Sequence, residues 1–88
     1  MNIGQAVEAL KRGNKVQRSN WNGENMWLIF VPSSPDLLLD ASIPYGRAGL
    51  DYVTIDAHID MYTAQGTMQP GWLASQADLL AEDWGIVT

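Results

Sequence analysis

Between Asn2 and Arg12 the apolar residues Ile3, Ala6, Val7 and Leu10 recur at the spacing of one helical face, with Glu8, Lys11 and Arg12 outside it. Asn2 is placed to cap this helix, Gln5 to return the bond, and Gly13 followed by Asn14 to end it. Lys15 to Arg18 is short and half apolar, which predicts an edge or amphipathic strand. It leads into the turn Ser19-Asn20-Trp21-Asn22-Gly23, where Asn-Gly is the turn-forming pair and Trp21 rides on the turn. Met26 to Val31 is apolar without alternation, so it predicts a strand covered on both faces. The first helix covers one face. The other falls to a second subunit or to the long segment that follows.

Pro32 to Ala57 shows no sustained period and holds Pro32, Pro35, Pro44, Gly46 and Gly49 among scattered acids. It reads as a long loop, and a connection of that length inside a small domain usually serves function or an interface. Within it Asp36 to Leu39 suggests a helical turn and Asp51 to Ile55 a short strand. His58 to Thr63 alternates as a strand should, Ala64-Gln65-Gly66 forms a hairpin into Thr67-Met68-Gln69, and Pro70-Gly71 breaks the pairing before Trp72. Ser75 then caps a second helix with Asp78 completing a capping box. Ala77, Leu80, Ala81 and Trp84 form its apolar stripe, Gly85 ends it, and Ile86-Val87 adds a last strand. The order predicts one α+β domain over residues 1–88, with an N-terminal helix packed on an antiparallel β-sheet, a short C-terminal helix and a long middle loop.

Eighty-eight residues bury only about 60–65% of their unfolded surface, so burial in an oligomer would add stability. A content of 47% apolar and 17% charged residues belongs to a folded domain. The absence of cysteine fits a reducing cytoplasm. No charged start followed by an apolar core suggests a signal peptide, and the longest apolar run is too short to span a bilayer. A net charge of −5 repels phosphate at long range and argues against a general DNA or RNA binder, although a local arginine can still hold a small anion.

No nucleophile elbow, phosphate loop or dinucleotide fingerprint occurs. Asp56, His58 and Asp60 alternate on one strand face, a weak cation pattern that a solvated face explains better. Glu82 and Asp83 sit at the negative end of the second helix, which predicts a basic partner such as Arg18 or Lys15 for one of them. Four tryptophans remain. Trp27 and Trp84 read as core. Trp21 and Trp72 lie on turns, beside Arg18, Ser19 and Asn22 in one case and Ser75, Gln76 and Asp78 in the other. Indole faces stack on flat rings while arginine and amides read phosphates or ring edges, so the set suits a nucleotide-like ligand. The plainer account makes Trp21 and Trp72 plugs for the ends of the sheet. The cap at Ser75 satisfies its own donors, and Asp78 repels phosphate there, which leaves phosphate to Arg18 or Arg47.

Met1 to Gly13, Val16 to Gly23, Met26-Trp27-Leu28 and the run Trp72 to Trp84 closely resemble, in order and over nearly the whole chain, the phage family of type 2 Thoeris anti-defence proteins. The resemblance implies a non-enzymatic sponge with no cofactor, no catalytic residues and no metal. Such a sponge takes up cyclic nucleotide immune signals, notably glycocyclic ADP-ribose and in some members cyclic oligonucleotides of the CBASS type. It implies a homotetramer, a dimer of dimers with pockets between subunits, in the host bacterial cytoplasm, binding neither DNA nor membrane. Trp21 and Trp72 carry over as candidate stacking residues, and Arg18, Asn22, Ser75, Gln76 and Asp78 as candidate polar contacts. Residues 33–57 are where members vary, and Pro44 to Arg47 are expected to shape ligand choice. The alternatives are a metal-dependent enzyme that cleaves such nucleotides with Asp56, His58 and Asp60, or a structural module that binds protein through exposed aromatics.

Overall fold

The computed structural model describes residues 1–21 and 25–88. The Asn-Gly turn pair at 22 and 23 lies outside the described residues. At the first helix, Gln5 N–H donates to Asn2 Oδ1 and Asn2 N–H to Gln5 Oε1, each at 2.9 Å. From that capping box α1 (Ile3–Lys11) runs to a cap at Arg12. Gly13 follows at φ +94°, a left-handed conformation that side-chain-bearing residues resist, and the chain turns into β1 (Lys15–Arg18).

After β2 (Trp27–Val31) come β3 (Ser34–Leu38), α2 (Pro44–Arg47) and β4 (Tyr52–Ile55). They are followed by β5 (His58–Tyr62), β6 (Met68–Gln69), α3 (Gln76–Leu80) and β7 (Trp84–Val87). Five strands form one sheet in the order β6-β5-β2-β1-β7, with every neighbouring pair antiparallel. The register sets Val16 between Leu28 and Ile86, Leu28 beside Met61, and Arg18 beside Trp84. Alternation therefore puts Val16, Leu28, Met61 and Trp84 on one face, where they close a core with Ala6, Ala9 and Leu10 of α1.

The opposite face carries Trp27, Ile29, Val31 and Tyr62. These are half-buried by one another, and the Trp27 and Tyr62 rings stack at 4.8 Å. Among the described residues no helix packs over this face. The long middle segment does not cover it either. It folds instead into an arm, in which β3 and β4 pair as a separate ribbon with α2 at its tip. Trp27 thus lies on the uncovered face and not in the core, because it is one residue out of phase with Leu28.

Two further expectations change. Asp36 to Leu39 is not a helical turn, since Leu37 and Leu38 pair with Val53 and Tyr52, and Asp36, at φ +51°, takes up a bulge. The second helix is shorter than its stripe suggested. Ala81 is extended, Trp84 and Gly85 belong to β7, and Leu80 is exposed. Its buried residue is Asp78, because the groups it packs against are polar.

Candidate functional site

β1 ends at Arg18 on the rim of the core face, where Asp83, just before β7, and Asp78 of α3 meet it. Arg18 Nη1 donates to Asp78 Oδ1 at 2.8 Å and Nε to Asp83 Oδ1 at 2.9 Å. The two side chains of the first pair are only 11% and 12% exposed. Asp83 Oδ2 also accepts from Ser19 Oγ at 3.1 Å and Asn20 N–H at 2.9 Å. Asp83 therefore gathers the start of the loop that leads to Trp21. Asp78 is the second hub. Its Oδ2 accepts from Ser75 N–H at 3.0 Å, and its own N–H donates to Ser75 Oγ at 3.0 Å, which completes the capping box. Trp21 Nε1–H reaches Asp78 Oδ1 at 3.5 Å, and Trp84 Nε1–H donates to the Asp78 carbonyl at 3.1 Å.

Two carboxylates and one guanidinium at this rim stay ionised for identifiable reasons. Burial pushes the Asp78 carboxyl up, but hydrogen bonds from Arg18, Ser75 and Trp21 together hold it below the usual value. Asp83 is lowered mainly by its hydrogen bond from Arg18, and Arg18 is raised by Asp78 and then Asp83.

Trp84 is the post between two other indoles. Trp21 meets it edge to face at 5.4 Å and Trp72 at 6.0 Å. Trp21 lines one cavity and Trp72 another. The first, about 460 Å³, is lined by Lys15, Gln17, Arg18, Ser19, Trp21 and Trp27, among others, and the Lys15 ammonium stands 5.1 Å from the Trp27 ring centre. The second, about 380 Å³, lies between α1 and β5 and is lined by Val7, Leu10, Phe30, Ile59 and Trp72.

Of the residues singled out in the sequence, Arg18, Trp21, Ser75 and Asp78 meet in one network, in which Arg18 is engaged by carboxylates of its own chain. Trp72 lines the second cavity, and the two cavities share no lining residue. Gln76 is exposed on α3 and lines neither cavity, and Asn22 lies outside the described residues. Lys15, Gln17 and Trp27 were missed as wall residues. The signal was present: Lys15 and Gln17 flank Val16, so they face away from the core on the side that Trp27 also occupies.

Asp56, His58 and Asp60 do not converge. His58 Nδ1 lies 2.8 Å from the Asp56 carbonyl and Nε2 3.5 Å from Asp60 Oδ1, while Asp60 accepts from Gly71 N–H at 3.1 Å. Among the described residues no group of three or more histidines or acids is placed to hold a metal ion.

A mixed aromatic and cationic wall beside a buried network can bind a flat, anionic ligand and hold it still. The model of the Thoeris anti-defense 2-like domain matches residues 1–87. Over 88 residues the chain is 41% identical to a protein of Bacillus phage SP01 named Thoeris anti-defense 2, an alignment covering the whole of this chain and 96% of that one.

Proposed function

The chain belongs to the Thoeris anti-defense 2-like family, and from that premise we propose that it is a phage anti-defence protein that binds a cyclic nucleotide immune signal and sequesters it uncleaved in the host cytoplasm. The observation that carries this reading is the cavity of about 460 Å³ where Trp21 and Trp27 stand beside Lys15, Gln17 and Ser19. Its volume lies in the range of sites for ligands of nucleotide size.

In this reading the indole of Trp21 stacks on a base, the Lys15 ammonium meets a phosphate, and Gln17 and Ser19 read ribose or base edges. Arg18 acts one step back. Of its two carboxylate partners, Asp83 accepts from Ser19 Oγ and Asn20 N–H and Asp78 from the Trp21 indole N–H, so the stacking ring is in place before ligand arrives. Trp72, across Trp84, serves a second ring or a second subunit's share of the site. The uncovered sheet face bearing Trp27, Ile29, Val31 and Tyr62 supports a homotetramer, a dimer of dimers, in which a neighbouring subunit closes the open side of the cavity.

A sponge works by mass action. Free sites at about 100 times Kd leave only about one signal molecule in a hundred unbound. No bond need break, so the protein must be made in amounts that match the signal.

Isothermal titration with glycocyclic ADP-ribose, followed by heat release and chromatography of the ligand, tests the reading. Tight binding with intact ligand recovered supports it, and a cleaved product overturns it. Binding of cyclic oligonucleotides alone would keep the sponge and change the signal.

A further inference from the structure

The arm formed by β3, α2 and β4 is a ribbon of two short strands, and a ribbon of that size is marginal by itself in water. Apart from glancing contacts, none of its elements packs on the body. It nevertheless presents apolar side chains to solvent. The cross-strand pair Leu38 and Tyr52 is 80% and 63% exposed, and Leu37, Tyr45 and Leu50 are exposed beside it. Between residues 34 and 55 its charges are Asp36, Asp40 and Asp51 against Arg47, a net negative surface.

The body carries the complementary feature. The cavity of about 380 Å³ has an apolar floor of Val7, Leu10, Phe30, Ile59 and Trp72, with Lys11 among its lining residues. Lys11 makes only a loose 3.9 Å contact with Glu8, both side chains being mostly exposed, and Arg12 follows it on the same exposed end of α1. Ala57 and His58, which also line this cavity, follow β4 after Asp56 alone, so the arm leaves the body beside the groove.

We propose that the β3–α2–β4 arm of one chain docks into the α1–β5 groove of a second copy, in a reciprocal exchange about a two-fold axis. Leu38 and Tyr52 enter the apolar floor, and the arm's aspartates meet Lys11 and Arg12. Each chain offers one arm and one groove, so the contact closes on itself without leaving an unpaired end. Two copies of the contact share the area that a stable dimer requires, about 800 Å² from each partner. The exchange uses neither the cavity at Trp21 nor the sheet face at Ile29. It therefore supplies one of the two kinds of interface that the dimer of dimers proposed above requires, and it rests on that homo-oligomer reading alone.

The chain has no cysteine, which makes the contact addressable by cross-linking. Leu38→Cys and Leu73→Cys alter side chains that are 80% and 89% exposed, the second at the edge of the groove, so neither substitution disturbs the core. The two variants are co-expressed, one isotopically labelled, and treated with a short bismaleimide. Dimers of unlike chains are expected to predominate, with little linkage in either variant alone. Leu38→Asp is expected to reduce the tetramer to a dimer in light scattering while its circular dichroism stays native. Efficient linkage of Leu38→Cys to itself would mean that arm packs on arm, and would overturn the proposal. An oligomer with no Leu38 to Leu73 link overturns it too, while leaving the homo-oligomer and nucleotide readings intact. A monomeric wild type defeats both the exchange and the oligomer, and titration of that monomer with nucleotide then tests ligand binding by itself.

Discussion

The guanidinium of Arg18 donates to the carboxylate of Asp78 at 2.8 Å across 60 residues of chain, and the same guanidinium holds Asp83. Arg18→Gln therefore leaves two carboxylates facing each other at a rim from which much of the water is excluded. The expected result is a lower Tm together with a red-shifted tryptophan emission, since Trp21 loses its anchored loop. Arg18→Lys keeps the charge but not the two-pronged geometry, and should recover only part of the loss.

The pH dependence follows from the same cluster. Asp78 and Asp83 have folded values below the ordinary 3.8. In such a case the native state binds fewer protons than the unfolded chain, and stability falls as acid is added. Their contribution is complete well above 3.8 and is lost as the pH drops through that value toward the depressed folded ones. Urea titrations from pH 6 down to about pH 2 should show this limb, and Asp78→Asn with Asp83→Asn should flatten it. Asp40, lowered by Ser42, keeps a residual slope in that double variant.

Trp84→Ala removes the buried post on which Trp21 and Trp72 both lean. A loss of about 3–5 kcal/mol is expected, a large share of the roughly 5–15 kcal/mol typical of a whole domain. Trp27→Ala, on the uncovered sheet face, should cost the protomer much less and should weaken assembly instead. Chemical denaturation read beside light scattering separates the two.

A side chain at Gly46 would bring its Cβ to 1.8 Å from the Asp40 carbonyl oxygen. Gly46→Ala must therefore displace the backbone at the arm's tip, at about 1–3 kcal/mol. Hydrogen exchange should quicken in residues 34–55 while α1 and the five-stranded sheet remain protected. Equal loosening of the body would show that arm and body are one cooperative unit.

For the ligand, Trp21→Ala should weaken nucleotide binding by about 1–3 kcal/mol through lost stacking, with a near-native melt. Lys15→Ala should weaken it and reduce its salt dependence. Calorimetry at two ionic strengths reads both. An unchanged affinity in Trp21→Ala with a lowered Tm would reassign that ring to the core.

Much of this fold was legible from local signals. The caps at Asn2 and Ser75, the stop at Gly13 and strands β1, β2 and β5 each rest on a few adjacent residues, and each formed where those residues lie. The pairing of Asp83 with Arg18 was legible as well, since an acid at a helix's negative end wants a cation. The errors came where tertiary contacts outrank periodicity. Leu80 and Trp84 fit a helical stripe, yet the cluster around Asp78 captures α3 and the ladder to β1 takes Trp84 into a strand. Of the arm, the strand at Asp51 to Ile55 was legible and formed as β4, whereas its partner β3 was missed because the arm's apolar residues face outward, where no alternation with a core marks them. Of the candidate contacts, Arg18, Trp21, Ser75 and Asp78 come together in one network, but a sequence cannot distinguish an arginine waiting for phosphate from one already held by Asp78 and Asp83.

Finally, the ladder from Lys15–Arg18 to Trp84–Val87 joins stretches separated by most of the chain. Closing so large a loop carries an entropic cost that the core contacts of this edge must offset. The cavity at Trp21 is walled in part by Lys15 and Val87, which pair directly across that ladder. A chain clipped before β7 therefore lacks Val87 from that wall and the strand that pairs with β1, and in the proposed reading it should bind nucleotide more weakly.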